Sequence, residues 1–396
     1  MIESILIYSR ATPHHHTGGM ETLAWSLAVE WARSVREVCV VTTVLPGTEA
    51  PFTEDGVRVV PLAGTRPGAY SAGWWEASRR YWSALAEAPG VVLSVSAGAY
   101  SVVRDRERHP GTPFVMQAHG TSTMEIGSKL RAANPRSLAT TPKNALGLLR
   151  DAARYRDFDR IVAVGDNVVR SLAAAPLRWS VPAERVQLIH NGVRVEERAF
   201  DPAGRAEIRR ALGIAEATAV VACVGRVHVQ KRLDRVLRAA ATLRDRGHAA
   251  DYAFLIVGDG PDESRLRGLA RDLRLGEMVR FVGRVHRDDV RRYYSAADVA
   301  LLTTARMEVG LPMAGLEALA CGLPCVVPAG SLGSETLARV MRQVDPADPG
   351  LVAEALRDAT RKRASRESLL PAQFTLAHCA RGYLAAFEDL APAARS

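Results

Sequence analysis

The sequence predicts an α/β protein built as two doubly wound domains in tandem. Three observations predict it. Short apolar stretches rich in Val and Ile alternate with amphipathic helical stretches, the pattern of parallel strands covered on both faces. The alternation breaks over residues 191–217, where Asn191-Gly192 and Asp201-Pro202 sit among charges, and then restarts. The length, 396 residues, suits two domains at roughly 100–200 residues each.

Each element follows from its local pattern. Ile5–Tyr8 is a short apolar strand, and after Gly18-Gly19 an amphipathic helix runs from Met20 to Ser34. Val38–Thr43 and Val57–Pro61 are strands. Trp74–Glu87 reads as a helix, Val91–Val95 and Phe114–Gln117 as buried strands, Lys143–Tyr155 as a helix and Arg160–Val164 as a strand. After the break come strands at Ala219–Val224, Tyr252–Val257, Val279–Val282, Val299–Leu302 and Cys325–Val327. Helices separate them at Arg232–Arg246, Glu263–Leu273, Asp288–Ala296 and Leu316–Ala320. A last amphipathic helix, Phe374–Leu390, follows Pro371.

Composition narrows the function classes. Hydrophobic residues make up 47% and charged residues 24%, enough for packed cores and unlike a disordered chain. No apolar run approaches the ~18 residues of a membrane span. The N-terminus lacks a basic leader and reads as a strand rather than a signal peptide, so a cytoplasmic protein is expected. Cys39, Cys223, Cys321, Cys325 and Cys379 form no C-x-x-C pair and read as reduced, buried thiols. The net charge is +9, with 48 Arg against four Lys. The charge is dispersed, without a basic tail or an aromatic-interleaved stripe, which argues against nucleic acid as a partner.

In open α/β sheets, ligands bind outside the carboxyl ends of strands, so the loops there hold the candidate chemistry. Gly18-Gly19 lies between the first strand and its helix. Paired glycines let a ligand approach the backbone, and a helix N-terminus offers N–H groups to an anion; an ordinary flexible turn reads equally well. Arg226 leaves a strand behind Gly225, and Lys231 follows five residues later at a helix start. Together they suit a pyrophosphate clamp, against the alternative of two solvated surface charges. Val257-Gly258-Asp259-Gly260-Pro261 lacks the third glycine of a dinucleotide fingerprint and reads as a tight turn. Glu317 lies in an apolar helix, where a carboxylate needs a partner: a ligand hydroxyl or a salt bridge.

These residues resemble the retaining, nucleotide-sugar-dependent glycosyltransferases of family 4, across nearly the whole chain. The motifs are Gly18-Gly19-Met20-Glu21, Ile189-His190-Asn191-Gly192-Val193, Gly225-Arg226 with Lys231, Val257 to Pro261, and Glu317-Ala318-Leu319-Ala320-Cys321-Gly322. The resemblance implies the GT-B fold, two Rossmann-like domains facing across a cleft. Their expected bounds are 1–195 plus 372–396 for the acceptor domain and 196–371 for the donor domain. It also implies roles. Gly18 and Gly19 would contact the donor phosphates, with Asn191 among the donor-binding residues, and Arg226 and Lys231 would neutralise the pyrophosphate. Glu317 would hold the ribose hydroxyls, the backbone of Arg284 and Val285 would recognise the base, and His119 would face the donor sugar. In the family a second Glu precedes by eight positions; here Val309 stands there, with Glu308 beside it and Gly310 and Leu311 completing the loop. Either Glu308 serves or the donor sugar is unusual.

The implied reaction moves a sugar from a nucleoside-diphosphate sugar, UDP type, to an acceptor, with no cofactor and no essential metal. His14-His15-His16 reads as a polar rim of the acceptor cleft, since adjacent side chains converge poorly on one ion. Asp157-Phe158-Asp159 has D-x-D spacing but precedes a strand, so solvated carboxylates are expected. The acceptor is expected to be a soluble small molecule and not a membrane lipid, because no basic amphipathic face is evident; Trp74, Trp75, Tyr81 and Trp82 could stack on its ring, and a place in a helix core reads at least as well. A nucleotide-sugar epimerase and a weakly catalytic nucleotide-sugar-binding protein are the competing classes.

Overall fold

A computed structural model describes residues 2–15, 19–48, 50–124, 141–304, 313–332, 334–361 and 366–391. The chain divides into two units: Met1–Gly192 with Leu376–Ser396, and Val193–Thr375.

Within the first unit, the strands are β1 (Ser4–Tyr8), β2 (Glu37–Thr43), β3 (Phe52–Glu54), β4 (Val57–Leu62), β5 (Val91–Val95), β6 (Phe114–Ala118), β7 (Arg160–Ala163) and β8 (Val186–Leu188). They form one sheet in the order β3-β4-β2-β1-β5-β6-β7-β8. Every pairing is parallel except the β3–β4 hairpin. Helices α1 (Gly19–Trp31), α2 (Ala72–Ala84), α3 (Thr141–Tyr155) and α4 (Asp166–Leu172) intervene. Alternate strand residues serve two cores. Leu6, Tyr8, Val92, Phe114 and Met116 join one cluster; Ile5, Ile7, Leu93, Val95 and Val115 join the other. Burial on both faces is why these strands read as unbroken apolar runs.

In the second unit, two helices precede the sheet, α5 (Val195–Arg198) and α6 (Pro202–Ala211). Asp201 caps the latter by accepting from the Gly204 N–H at 2.9 Å, with Pro202 in the first turn. Strands β9 (Ala219–Val224), β10 (Tyr252–Val257), β11 (Val279–Gly283), β12 (Val299–Leu301), β13 (Cys325–Pro328) and β14 (Met341–Val344) pair in the order β11-β10-β9-β12-β13-β14, all parallel. Between and after them run α7 (Leu233–Asp245), α8 (Glu263–Asp272), α9 (Val290–Ala296), α10 (Met313–Ala320), α11 (Glu335–Val340) and α12 (Pro349–Arg361).

The last helix, α13 (Leu376–Glu388), belongs to the first unit. It packs on α1, where Trp31 Nε1 donates to the Ala380 carbonyl at 3.1 Å and the Trp31 ring meets Tyr383 and Phe387 edge-on. All five cysteines are buried thiols. None of the described helices is long and apolar enough to cross a membrane.

For two of the four aromatics the structure decides for the helix-core alternative. Trp74 and Trp82 are fully buried, donating from Nε1 to the carbonyls of Gly98 (3.1 Å) and Asp105 (2.8 Å); they are core side chains and offer no stacking face. The Asp157–Asp159 pair is likewise structural rather than merely solvated. Asp159 accepts two bonds from Arg106 Nη2 (3.0 and 2.8 Å) and one from the Phe114 N–H (2.8 Å), tying β6 to the start of β7.

Candidate active site

The sheet order creates one reversal point in each unit. In the first, β1 has β2 on one side and β5 on the other, so the loops after β1 and β5 diverge. At the root of the β5 loop, a Cβ on Gly98 would lie 2.0 Å from the Tyr8 carbonyl oxygen, so only glycine lets that loop pass against the end of β1. The loop after β1 is tied down by side chains. Thr43 Oγ1 donates to the Arg10 carbonyl (2.7 Å), and Arg10 reaches the buried Glu21 of α1 (3.2 Å). Gly19 opens α1 and is exposed, so its N–H lies at the unpaired start of a 13-residue helix. Gly18 lies outside the described residues, as does His16.

His14 and His15 diverge. His14 Nε2 meets Glu54 Oε2 at 2.9 Å and its ring packs edge-on against Trp25 and Phe52. His15 Nε2 lies 3.0 Å from Thr43 Oγ1 and 3.2 Å from the Val44 carbonyl, and burial lowers its pKa. No three His, Cys, Asp or Glu among the described residues are grouped as metal ligands.

His119 sits just past β6. Its Nε2 is 2.8 Å from Gln117 Oε1, and burial pushes its pKa down to about 3, so the ring is neutral. The loop beyond is anchored by Ser122 Oγ, which donates to Asp151 at 2.6 Å, and Asp151 also accepts from the Tyr100 hydroxyl at 3.0 Å. Asn191 follows the edge strand β8, away from the β1–β5 reversal; it is buried, and its Oδ1 has no hydrogen-bond partner among the described residues. Trp75 is half-buried, stacked against Tyr70 (5.3 Å) and Tyr100 (6.4 Å), with the Arg150 guanidinium 5.0 Å above it. Tyr81 lies elsewhere, its hydroxyl 3.7 Å from Cys39 Sγ.

In the second unit the reversal falls between β9 and β12. Arg226 and Lys231 occupy the loop after β9. Arg226 is exposed, and Lys231 is partly buried, with its pKa pushed down to about 8 by burial and by the neighbouring Arg226 charge. The loop after β12 fixes this one: Thr303 Oγ1 donates to the carbonyls of Lys231 (2.9 Å) and Arg232 (3.0 Å). Arg232 takes a left-handed conformation, φ 49°, and α7 begins at the next residue, directing its positive end to the same place.

The Gly258-Asp259-Gly260 turn has a backbone purpose. Gly258 has φ +131°, and a Cβ on it would lie 2.1 Å from the Gly225 carbonyl oxygen. The Val227 N–H donates to the Asp259 carbonyl at 2.8 Å and the Gly258 N–H to the Gly283 carbonyl at 2.8 Å. The three loops after β9, β10 and β11 are therefore laced edge to edge. Arg284, at the outer one, pairs with Asp259 at 3.1 Å, and Val285 is half-buried beside it.

Glu317 lies on α10, and the partner its burial requires is Arg198. Arg198 is 3% exposed, and its guanidinium donates from Nε to Glu317 Oε1 at 3.3 Å. Arg287 is near enough for the Glu317 charge to act on it. The sequence carries no local signal for this pair, 119 residues apart. Glu308, Val309, Gly310 and Leu311 lie outside the described residues.

Two family models match the chain. Residues 204–370 match the glycosyl transferases group 1, and residues 18–192 match the glycosyl transferase 4-like domain. Among curated relatives, a D-inositol 3-phosphate glycosyltransferase of Actinosynnema mirum is 30% identical over 269 residues, 61% of this chain and 62% of the relative. One of Mycolicibacterium gilvum is 28% identical over 336 residues, 79% of this chain and 70% of the relative. The chain thus spans less than two thirds of the first relative. Among solved structures, sucrose-phosphate synthase of Thermosynechococcus elongatus superposes with TM-score 0.71 at 20% identity, over 98% of this chain and 96% of that one. The Anabaena protein HepE in complex with UDP gives 0.72 at 15%, over 98% and 100%. An α,α-trehalose-phosphate synthase of Burkholderia xenovorans in complex with glucose-6-phosphate gives 0.72 at 13%, over 98% and 100%. These likenesses show the shared GT-B fold.

Proposed function

The chain belongs to the family-4 glycosyltransferases, and from that premise we propose that it transfers a sugar from a UDP-type nucleotide sugar to a soluble polyol or sugar acceptor. Transfer proceeds with retention at the anomeric carbon and needs no essential metal. The observation that carries the reading is the pairing of Arg226 and Lys231 at the β9–β12 reversal, beside the N-terminus of α7. Burial, and then the neighbouring Arg226 charge, push the Lys231 pKa down to about 8, so its ammonium costs more there than on the surface and an anion would offset that cost. A diphosphate is such an anion. The HepE structure, which contains UDP, supports the UDP type, and the names of the inositol-phosphate and trehalose-phosphate relatives support a phosphorylated polyol or sugar as acceptor.

The chemistry is the one that membership of the family implies. As the glycosidic bond to the diphosphate breaks, negative charge builds on the leaving phosphate. Arg226 and Lys231 then bind more strongly than in the ground state, which is what accelerates the step. Glu317, held by Arg198, accepts from the ribose hydroxyls. The backbone at Arg284 and Val285 reads the base, and neutral His119 contacts the donor sugar. The departing phosphate takes the acceptor's proton on the face it leaves, which preserves the anomeric configuration.

The test is nucleotide release from UDP-, GDP- and ADP-sugars, with and without inositol phosphates and sugar phosphates, and proton NMR of the product's anomeric centre. Acceptor-dependent UDP release is expected. Arg226→Ala and Lys231→Ala should each lower kcat/KM by on the order of 10²-fold. Unchanged kinetics in both variants would remove them from the site.

A further inference from the structure

β6 alternates its side chains between the two cores of its unit. Phe114 and Met116 face one and Val115 the other, which places Gln117 on the Val115 side. Gln117 is fully buried on that side, against the cluster that holds Ile7, Val95 and Tyr383. A primary amide there is costly unless its groups are bonded. Leu at 117 and Phe at 383 would fill the same space without that cost, so packing alone does not explain the polar pair.

We propose that Gln117 and Tyr383 are positioning residues for His119: a hydrogen-bonded chain from α13 fixes the imidazole's orientation and keeps its proton on Nε2, presenting Nδ1 as an acceptor to a hydroxyl of the donor sugar. The inference rests on the reading of His119 as a donor-sugar contact. The geometry runs in one direction. Gln117 Nε2 donates to the Tyr383 hydroxyl oxygen at 2.8 Å, which turns the amide carbonyl toward His119. That carbonyl is an acceptor only, so the nitrogen facing it at 2.8 Å, His119 Nε2, is the protonated one. Tyr383 is itself held: it is fully buried, with ring contacts to Trp31 at 5.7 Å and Phe387 at 6.0 Å. A neutral ring with Nε2 occupied offers a lone pair at Nδ1. It accepts from a hydroxyl and repels a phosphate or carboxylate oxygen, so the chain of bonds discriminates between ligand groups as well as placing the ring.

The experiment uses the full chain labelled with ¹⁵N and long-range ¹H–¹⁵N correlation of the histidine rings, with His119→Gln identifying the signal. The native protein should show His119 neutral and in the Nε2–H form. Gln117→Leu, and separately Tyr383→Phe, which keeps the ring and its packing, should mix the two tautomers. Both variants should lower kcat for transfer by about tenfold, one ordinary hydrogen bond, while donor KM changes less. A native Nδ1–H form, or an unaltered tautomer in Tyr383→Phe with thermal melting showing it folded, overturns the proposal. If instead the tautomer behaves as stated and His119→Gln leaves transfer intact, the positioning stands and the donor-sugar role of His119 fails.

Discussion

The proposed diphosphate site makes nucleotide affinity depend on pH through Lys231. In the unliganded protein burial and the Arg226 charge depress its pKa to about 8, from the ordinary lysine value of 10.5. The depressed value means that the charged form is the costly one. A bound diphosphate reverses this by favouring the ammonium, so binding above pH 8 must draw a proton from solvent. The fraction already protonated sets the affinity: about nine-tenths at pH 7, half at pH 8 and three-hundredths at pH 9.5. UDP affinity should therefore fall roughly thirtyfold between pH 7 and 9.5, provided the bound-state pKa lies above that range. Isothermal titration calorimetry of UDP in two buffers of different ionisation enthalpy reads both quantities. Proton uptake should rise from near zero at pH 7 to near one at pH 9.5. Lys231→Arg, whose charge does not titrate there, should abolish the uptake. The sign for folding is opposite: unliganded stability gains from this group as pH rises from about 8 toward the unfolded lysine value. A flat affinity with no proton uptake in the native protein would show that the Lys231 ammonium does not meet the diphosphate.

Other expectations follow from the same geometry. Arg198→Ala strands the Glu317 carboxylate and should cost about 3 kcal/mol in urea unfolding, with weaker UDP binding; a loss below about 1 kcal/mol would mean the pair is solvated. Gly258→Ala places a Cβ against the Gly225 carbonyl at φ +131°. It should destabilise by at least about 2 kcal/mol more than Gly247→Ala, which shares a positive φ, +85°, but opens into empty space. Activity should survive excess EDTA; full loss restored by Mg²⁺ or Mn²⁺ would reject the metal-independent reading.

The legibility of the fold follows from where burial is two-sided. β1, β5, β9 and β10 are apolar at nearly every position because each face meets a helix layer, and the sequence marks their cores directly. Edge elements lack that mark. The β3 strand, Phe52-Thr53-Glu54, is mostly exposed and goes unread, although Asp55-Gly56, both at positive φ (51° and 79°), is a two-residue hairpin turn. β14, Met341-Arg342-Gln343-Val344, mixes polar and apolar side chains for the same reason. The site divides similarly. Gly19, Arg226 and Lys231 are found by position after a strand. Arg198 and Tyr383 lie far in sequence from the groups they hold, and no local pattern announces them.

One signal for the site is compositional. The chain writes 48 of its 52 basic residues as Arg, so a lysine in the loop after β9 departs from its own habit. Arginine keeps its charge under burial and spreads it over a planar fork, whereas lysine carries a compact ammonium that burial can partly discharge. Next to Arg226 that difference has a consequence. A second guanidinium would hold the site doubly charged with no anion present, while Lys231 can lower the charge of the empty loop and recover it when a diphosphate arrives. Thr303 holds the Lys231 carbonyl from the neighbouring loop, so the ammonium is tethered at its root while its tip responds to the ligand. On this argument Lys231→Arg should retain diphosphate binding at pH 9.5, where the native protein has lost most of it.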